Sequence, residues 1–173
     1  NCVLNACLVK SGLFKNIWVQ PASGDAGTAL GAALHIDVVK RNSRQKSFVM
    51  EHAYWGPAFT DEQIEHFLQW CKIPYKRLKH VARETAALLA QNKIIGWFQG
   101  GMEFGPRALG SRSILASPIT AAMQARLNEV KDRDDFRPVA PAVLEEDAPE
   151  WFKGASCSPF MLFVYEVKSA KGP

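Results

Sequence analysis

The residues best suited to chemistry lie in Phe98-Gln99-Gly100-Gly101-Met102-Glu103-Phe104-Gly105-Pro106-Arg107-Ala108-Leu109-Gly110-Ser111-Arg112-Ser113, which holds four glycines and two arginines. Glycine lets backbone amides approach an anion, and arginine offers a planar fork of donors that matches phosphate or carboxylate. The stretch therefore reads as an anion-binding loop, or alternatively as a tight Gly-Pro turn whose arginines pair with nearby carboxylates. The Gly100 to Gly105 spacing imitates the start of a phosphate-binding P-loop. Pro106-Arg107 stands where that motif needs Lys followed by Ser or Thr, so a Walker A site is rejected.

A second group of donors follows in Asn128, Lys131, Arg133 and Arg137. Arg126, Lys131, Arg133 and Arg137 are matched by Glu129, Asp132, Asp134 and Asp135, so a solvated, salt-bridged helix end is the plain reading. Arg137 stands apart: between Phe136 and Pro138 it leads into an apolar run read as a strand, where an arginine is costly unless paired or bound to a ligand. Asp25, in Gly24-Asp25-Ala26-Gly27, either caps a helix or offers its carboxylate to a metal or nucleotide. His35, His52, His66 and His80 lack metal-ligand spacing and read as surface or packing residues. The four cysteines form no CxxC pair, which points away from a zinc ribbon or disulfide scaffold and towards a reducing cytoplasm.

The elements that must position these groups follow from local pattern. Residues 1 to 11 and 25 to 40 read as helices around a short strand, Ile17-Trp18-Val19-Gln20, closed by Pro21. Gly27 and Gly31 leave one helix face without bulk. The polar stretch from Lys40 to Lys46 is the candidate boundary. Thr60-Asp61-Glu62-Gln63 announces a capped helix, and a further helix at Ala82 to Gln91 leads into a strand at Ile94 to Phe98. Ser117-Pro118 reads as another helix start, and Val139 to Leu144 and Phe160 to Val167 as strands. Helix feeding strand implies an α/β class.

The composition, 173 residues with 47% hydrophobic and 22% charged, fits a soluble globular domain, with part of another, able to bury a core. The apolar runs fall far short of the roughly 20 residues needed to span a membrane. A net charge of +4 favours anionic ligands without demanding a nucleic acid. Asn1-Cys2-Val3 carries neither a basic leader nor an initiating Met and reads as a cut end.

Gly-Trp-Phe-Gln-Gly at 96 to 100, Met-Glu-Phe-Gly-Pro-Arg-Ala-Leu-Gly at 102 to 110 and Arg-Ser-Ile-Leu-Ala at 112 to 116 closely resemble the carbamoyltransferase family of nodulation-factor and antibiotic biosynthesis. Phe136-Arg137-Pro138, Ala140-Pro141, Val143-Leu144-Glu145-Glu146 and Ser158-Pro159-Phe160-Met161 match further family words in order. Asn16 to Pro21, Gly24-Asp25-Ala26-Gly27 and Leu30-Gly31-Ala32-Ala33 resemble the end of the preceding domain. The chain departs from the family pattern at Gly101, where Arg is usual, at Ser111, where Asn is usual, and at Ser117-Pro118-Ile119, where Asp-Pro-Arg is usual. Val139 stands where Phe is usual.

The resemblance implies an α/β chain in which residues 1–50 end an actin/Hsp70-like carbamoyl-transfer domain and residues 54–173 form a YrdC-like C-terminal domain. It implies activation of carbamoyl phosphate with ATP as carbamoyladenylate, followed by transfer of the carbamoyl group to the hydroxyl of a small-molecule acceptor. That chemistry rests on fixed cationic donors rather than a side-chain nucleophile. By resemblance, Arg107 and Arg137 are the catalytic cations on carbamoyl phosphate or nucleotide phosphates, with Lys131, Asn128, Arg112 and Ser113 as neighbours. Asp25 matches an aspartate that would bind a divalent metal, Mg or Fe, in the full-length enzyme. The expected partners are carbamoyl phosphate, the acceptor and an N-terminal domain of the same chain, with no membrane and no nucleic acid. The competing expectation is a non-catalytic nucleotide- or RNA-binding module of YrdC-like fold.

Overall fold

The computed structural model describes residues 1–41, 49–154 and 157–168. The chain is mixed α/β and divides into two compact units. One comprises Asn1–Trp55, Glu103–Leu109 and the chain from Ala142 onward; the other comprises Gly56–Met102 and Gly110–Pro141.

In the first unit, α1 (Cys2–Ser11) begins where the Asn1 side chain accepts hydrogen bonds from the amides of Val3 and Leu4, and ends at Gly12, whose φ of 66° is the left-handed conformation glycine adopts without steric cost. A turn over residues 21–24 leads into α2 (Asp25–Arg41). There the Gly24 carbonyl accepts from the amides of Gly27 and Thr28. Of the two glycines expected to allow close approach, Gly27 does so, because a Cβ there would collide with the Ala22 carbonyl; a Cβ at Gly31 would meet no described residue outside its own helix turn within 4 Å. Only the start of the basic stretch is described, as the last turn of α2, and the remainder of that candidate boundary lies outside the described residues.

In the second unit, α3 (Asp61–Trp70) starts with the expected capping box: Thr60 accepts from the Gln63 amide and the Gln63 side chain accepts from the Thr60 amide. Next come α4 (Val81–Ala90), β1 (Ile95–Phe98), β2 (Arg112–Leu115) and α5 (Ala122–Val130). The two strands pair antiparallel, with Ile95 opposite Leu115 and Phe98 opposite Arg112. This hairpin delivers the glycine-rich stretch as its connecting loop. A short helix, α6 (Ala148–Trp151), belongs to the first unit, where Phe152 and Val167 form an isolated antiparallel bridge.

Four expectations about elements are corrected. Ile17 to Gln20 and Val139 to Leu144 are not strands, and Phe160 to Val167 contributes only the bridge at Val167. An apolar run can favour extended backbone, but a strand also needs a hydrogen-bonding neighbour; the described residues pair neither of the first two runs in a ladder and offer the third only the chain around Phe152. Ser117-Pro118 does not start a helix; α5 begins at Ala122, after a bend in which the Ser117 hydroxyl accepts from the Ile119 amide at 3.5 Å. The core is also thinner than the composition leads one to expect. Ala6, Ala22 and Ala53 are buried in the first unit and Met123 and Leu127 in the second, while Trp18, Trp70 and Ile119 are largely exposed.

Candidate anion-binding loops

The hairpin arms lie in the second unit and are drawn together by Arg112. Its guanidinium donates to the carbonyls of Gln99 at 2.9 Å, Ser111 at 2.8 Å and Gly100 at 3.1 Å, and lies 3.5 Å from the centroid of the Phe98 ring. The Gln99 amide donates to the Ser111 carbonyl, continuing the ladder past β1. Ser113 Oγ accepts from the Gly110 amide at 3.0 Å. Arg112 and Ser113, read as neighbours of a ligand, are thus engaged with backbone at the base of the loop.

The tip, Glu103–Leu109, lies in the first unit. The Phe104 amide donates to the Ala53 carbonyl at 2.6 Å, and the Leu109 carbonyl accepts from the Tyr54 hydroxyl at 2.7 Å. Glu103 accepts from the Leu109 amide at 2.8 Å, so its carboxylate closes the tip into a loop with Arg107 inside the span. Gly105, at φ 111°, packs so closely on Ala22 that a Cβ would lie 3.1 Å from the Ala22 Cβ. Arg107 is exposed, and its guanidinium makes no hydrogen bond or ion pair with a described residue. Sequence reading passed over Glu103 and Tyr54; a carboxylate in the middle of an otherwise cationic, glycine-rich loop was the available signal.

Arg137 belongs to the second unit. Asn128, on the inward side of α5, is completely buried and donates from Nδ2 to the carbonyls of Asp135 at 2.9 Å and Arg137 at 3.1 Å. Its Oδ1 accepts from Arg133 Nε at 2.6 Å, while Arg133 Nη2 donates to the Pro138 carbonyl at 3.3 Å. Gln124 adds a 3.3 Å hydrogen bond to the same Arg137 carbonyl. The backbone of Arg137 is therefore gripped, yet its side chain is exposed and has no carboxylate partner among the described residues. Arg137 therefore does not lead into a buried strand and bears no burial cost, and its neighbour Phe136 is 83% exposed.

The expected salt-bridged helix end is likewise absent from the described residues, whose ion pairs lie elsewhere. Arg126 instead donates to the Asn92 carbonyl at 3.3 Å. Lys131 ends α5 with an exposed side chain, where its charge complements the negative end of the helix dipole.

Asp25 is the first residue of α2 and is exposed, and no hydrogen bond of its carboxylate to another described residue accompanies the backbone capping by Gly24. Among the described residues, no three His, Cys, Asp or Glu side chains gather as metal ligands. Asp25 by itself does not constitute a metal centre. His52 is a packing residue, stacked on Tyr54 and Trp55 with centroids 5.6 and 4.9 Å apart. No described helix is long and apolar enough to cross a membrane.

Comparison with known proteins matches residues 86–172 to the carbamoyltransferase C-terminus and residues 1–34 to the carbamoyltransferase N-terminus. Nodulation protein NolO of Bradyrhizobium diazoefficiens is 45% identical over 99% of the chain and 32% of its own length. Nodulation protein U of Rhizobium fredii is 40% identical over 97% of the chain and 27% of its own length. The 3'-hydroxymethylcephem-O-carbamoyltransferase of Amycolatopsis lactamdurans is 35% identical over 99% of the chain and 32% of its own length. The chain thus spans about a third or less of these curated relatives. With both family regions matched in order and the second covering half of its residues, the chain belongs to the carbamoyltransferase family.

Proposed function

We propose that the protein containing this chain is an ATP-dependent O-carbamoyltransferase, and that Arg107 and Arg137 hold the phosphate groups of its donor. In this reading the region from residue 54 onward acts as a YrdC-like activation domain, and residues 1–50 belong to an actin/Hsp70-like transfer domain. The observation that carries the proposal is the contrast among arginines. Arg112, Arg126 and Arg133 donate to backbone carbonyls, whereas Arg107 and Arg137 project from loops fixed by other residues and have no partner among the described residues. Fixed stems with free guanidinium groups suit polyanion binding, because the loops are ordered before the ligand arrives.

The chemistry asks these cations to offset phosphate charge rather than to supply a nucleophile. In the activation step a carbamate oxygen forms a bond to the α-phosphorus of ATP and pyrophosphate leaves. In the transfer step the acceptor oxygen bonds to the carbamoyl carbon, AMP leaves, and the hydroxyl proton passes to solvent or a base. The carbamate is supplied by a preceding step in which water cleaves the bond between the carbamoyl and phosphate groups of carbamoyl phosphate and inorganic phosphate leaves. Lys131, exposed beyond α5, is assigned to the same ligand charge.

The test is direct. Full-length protein given ATP, carbamoyl phosphate and a panel of hydroxylated acceptors should release AMP together with a carbamate ester. Failure to form AMP with any acceptor would overturn the reading.

A further inference from the structure

The amide of Asn128 has no capacity left for a ligand through its nitrogen. Both Nδ2 hydrogens have acceptors, the carbonyls of Asp135 and Arg137, and Oδ1 faces the Nε–H of Arg133, which also fixes the orientation of the amide. Arg133 commits two of its five donors to this segment, Nε to Asn128 and Nη2 to the Pro138 carbonyl. Its own amide donates back to the Asn128 carbonyl at 3.1 Å. Arg133 therefore ties Asn128 of α5 to the Pro138 carbonyl, just beyond Arg137. Inside that span the Arg137 amide donates to the Asp134 carbonyl at 3.2 Å, and Asp132 takes a φ of 47°, so the chain turns sharply and is held in the turn.

We infer that Asn128 and Arg133 form a positioning couple that aims the Arg137 guanidinium, with Gln124 as an auxiliary grip. This rests on the assignment of Arg137 to the phosphorylated donor. Asn128 anchors the Arg137 carbonyl to a rigid, buried point of α5, and Arg133 locks both that anchor and the next carbonyl along the chain. A guanidinium fork delivers two divergent hydrogen bonds from a single plane; an ammonium carries the same charge but cannot reproduce that planar fork. Arg133 therefore acts through geometry, and its charge is incidental to donor binding.

The experiment uses full-length protein and titrates carbamoyl phosphate into Arg133→Lys, Arg133→Met, Gln124→Ala, Arg137→Ala and the Arg133→Lys/Arg137→Ala double variant. Both Arg133 variants should bind about tenfold more weakly, Gln124→Ala should shift the same way by less, and Arg133→Lys should add nothing once Arg137 is gone. Hydrogen exchange without ligand supplies an independent readout: the amides of Arg133 and Arg137 should exchange faster in Arg133→Lys, while those of β1 and α4 keep their protection. Wild-type affinity in Arg133→Lys with weakened binding in Arg133→Met would show that charge alone matters and overturn the couple. Additive losses in the double variant, or unchanged exchange at the two amides, would overturn it as well. If Arg137→Ala weakens binding but Arg133→Lys does not, the couple falls and the donor assignment stands; unchanged binding in Arg137→Ala removes both.

Discussion

The two arginines assigned to the donor share a design in which the neighbours of each hold its backbone and leave its charge unspent. Glu103 and Tyr54 tie the backbone around Arg107, and Asn128 and Gln124 take hold of Arg137. Replacing Arg107 or Arg137 by Ala should weaken carbamoyl phosphate binding by about 1.5 to 3 kcal/mol, the range for a lost charged hydrogen bond, with the melting transition unchanged. Asn128→Leu should do the reverse in emphasis, lowering stability by roughly 1 to 3 kcal/mol in denaturant titration, since it removes the three hydrogen bonds of a fully buried amide and leaves the Arg133 Nε–H without its acceptor. The loop position of Arg107, between Gly105 and Gly110, was legible from the sequence because its glycine-rich surroundings are local. The role of Asn128 was not, because its partners lie seven and nine residues onward along a loop whose path no pairwise pattern encodes. The importance of Arg137 was read for a reason that fails: a burial penalty was assumed from a strand that does not form.

At the scale of elements, what depends on four or five neighbouring residues was readable and what depends on a distant partner was not. The Thr60 capping box closes within three residues, and α3 starts where that pattern sets it. Thr60→Ala should therefore destabilise the second unit by about 1 kcal/mol in chemical denaturation, the usual effect of losing a helix cap. The β1 run was recognisable from its apolar content, and its partner, β2, returns only after the loop has passed through Arg107. Sequence alone did not identify Arg112–Leu115 as that partner, because the register depends on the Arg112 clamp and the Phe98 contact, both formed only once the loop has closed. Ser117-Pro118 shows the opposite failure: Ser followed by Pro serves a bend as well as a helix start, and here the helix waits until Ala122.

For the whole molecule, family membership was legible from long exact words, whereas the pairing of chain segments was not. Lys10 of α1 meets Glu166 at 2.7 Å across 156 residues, and Lys153 meets the same carboxylate at 3.3 Å. The hydrogen bond from Lys10, then that from Lys153, holds the Glu166 carboxyl below its ordinary value, while Glu166 raises Lys10 above its own. The sign follows from linkage: the Glu166 contribution is present above the ordinary glutamate value and lost as pH falls through the depressed one, while the Lys10 contribution is present below the ordinary lysine value and lost as pH rises through the raised one. Glu166→Gln should therefore flatten the acid limb of the stability profile slightly, a small effect at this exposed site that added salt should screen. If the basic residues serve a compact donor site, carbamoyl phosphate affinity should also fall less steeply with salt than polynucleotide binding would. The central claim, that Arg107 and Arg137 bind the phosphates of carbamoyl phosphate or of the nucleotide, is tested most directly by a crystal structure of the full-length protein with carbamoyl phosphate and an ATP analogue. The account predicts each guanidinium within hydrogen-bonding distance of a phosphate oxygen of bound carbamoyl phosphate or nucleotide; phosphates held by other residues, with either arginine facing open solvent, would contradict it.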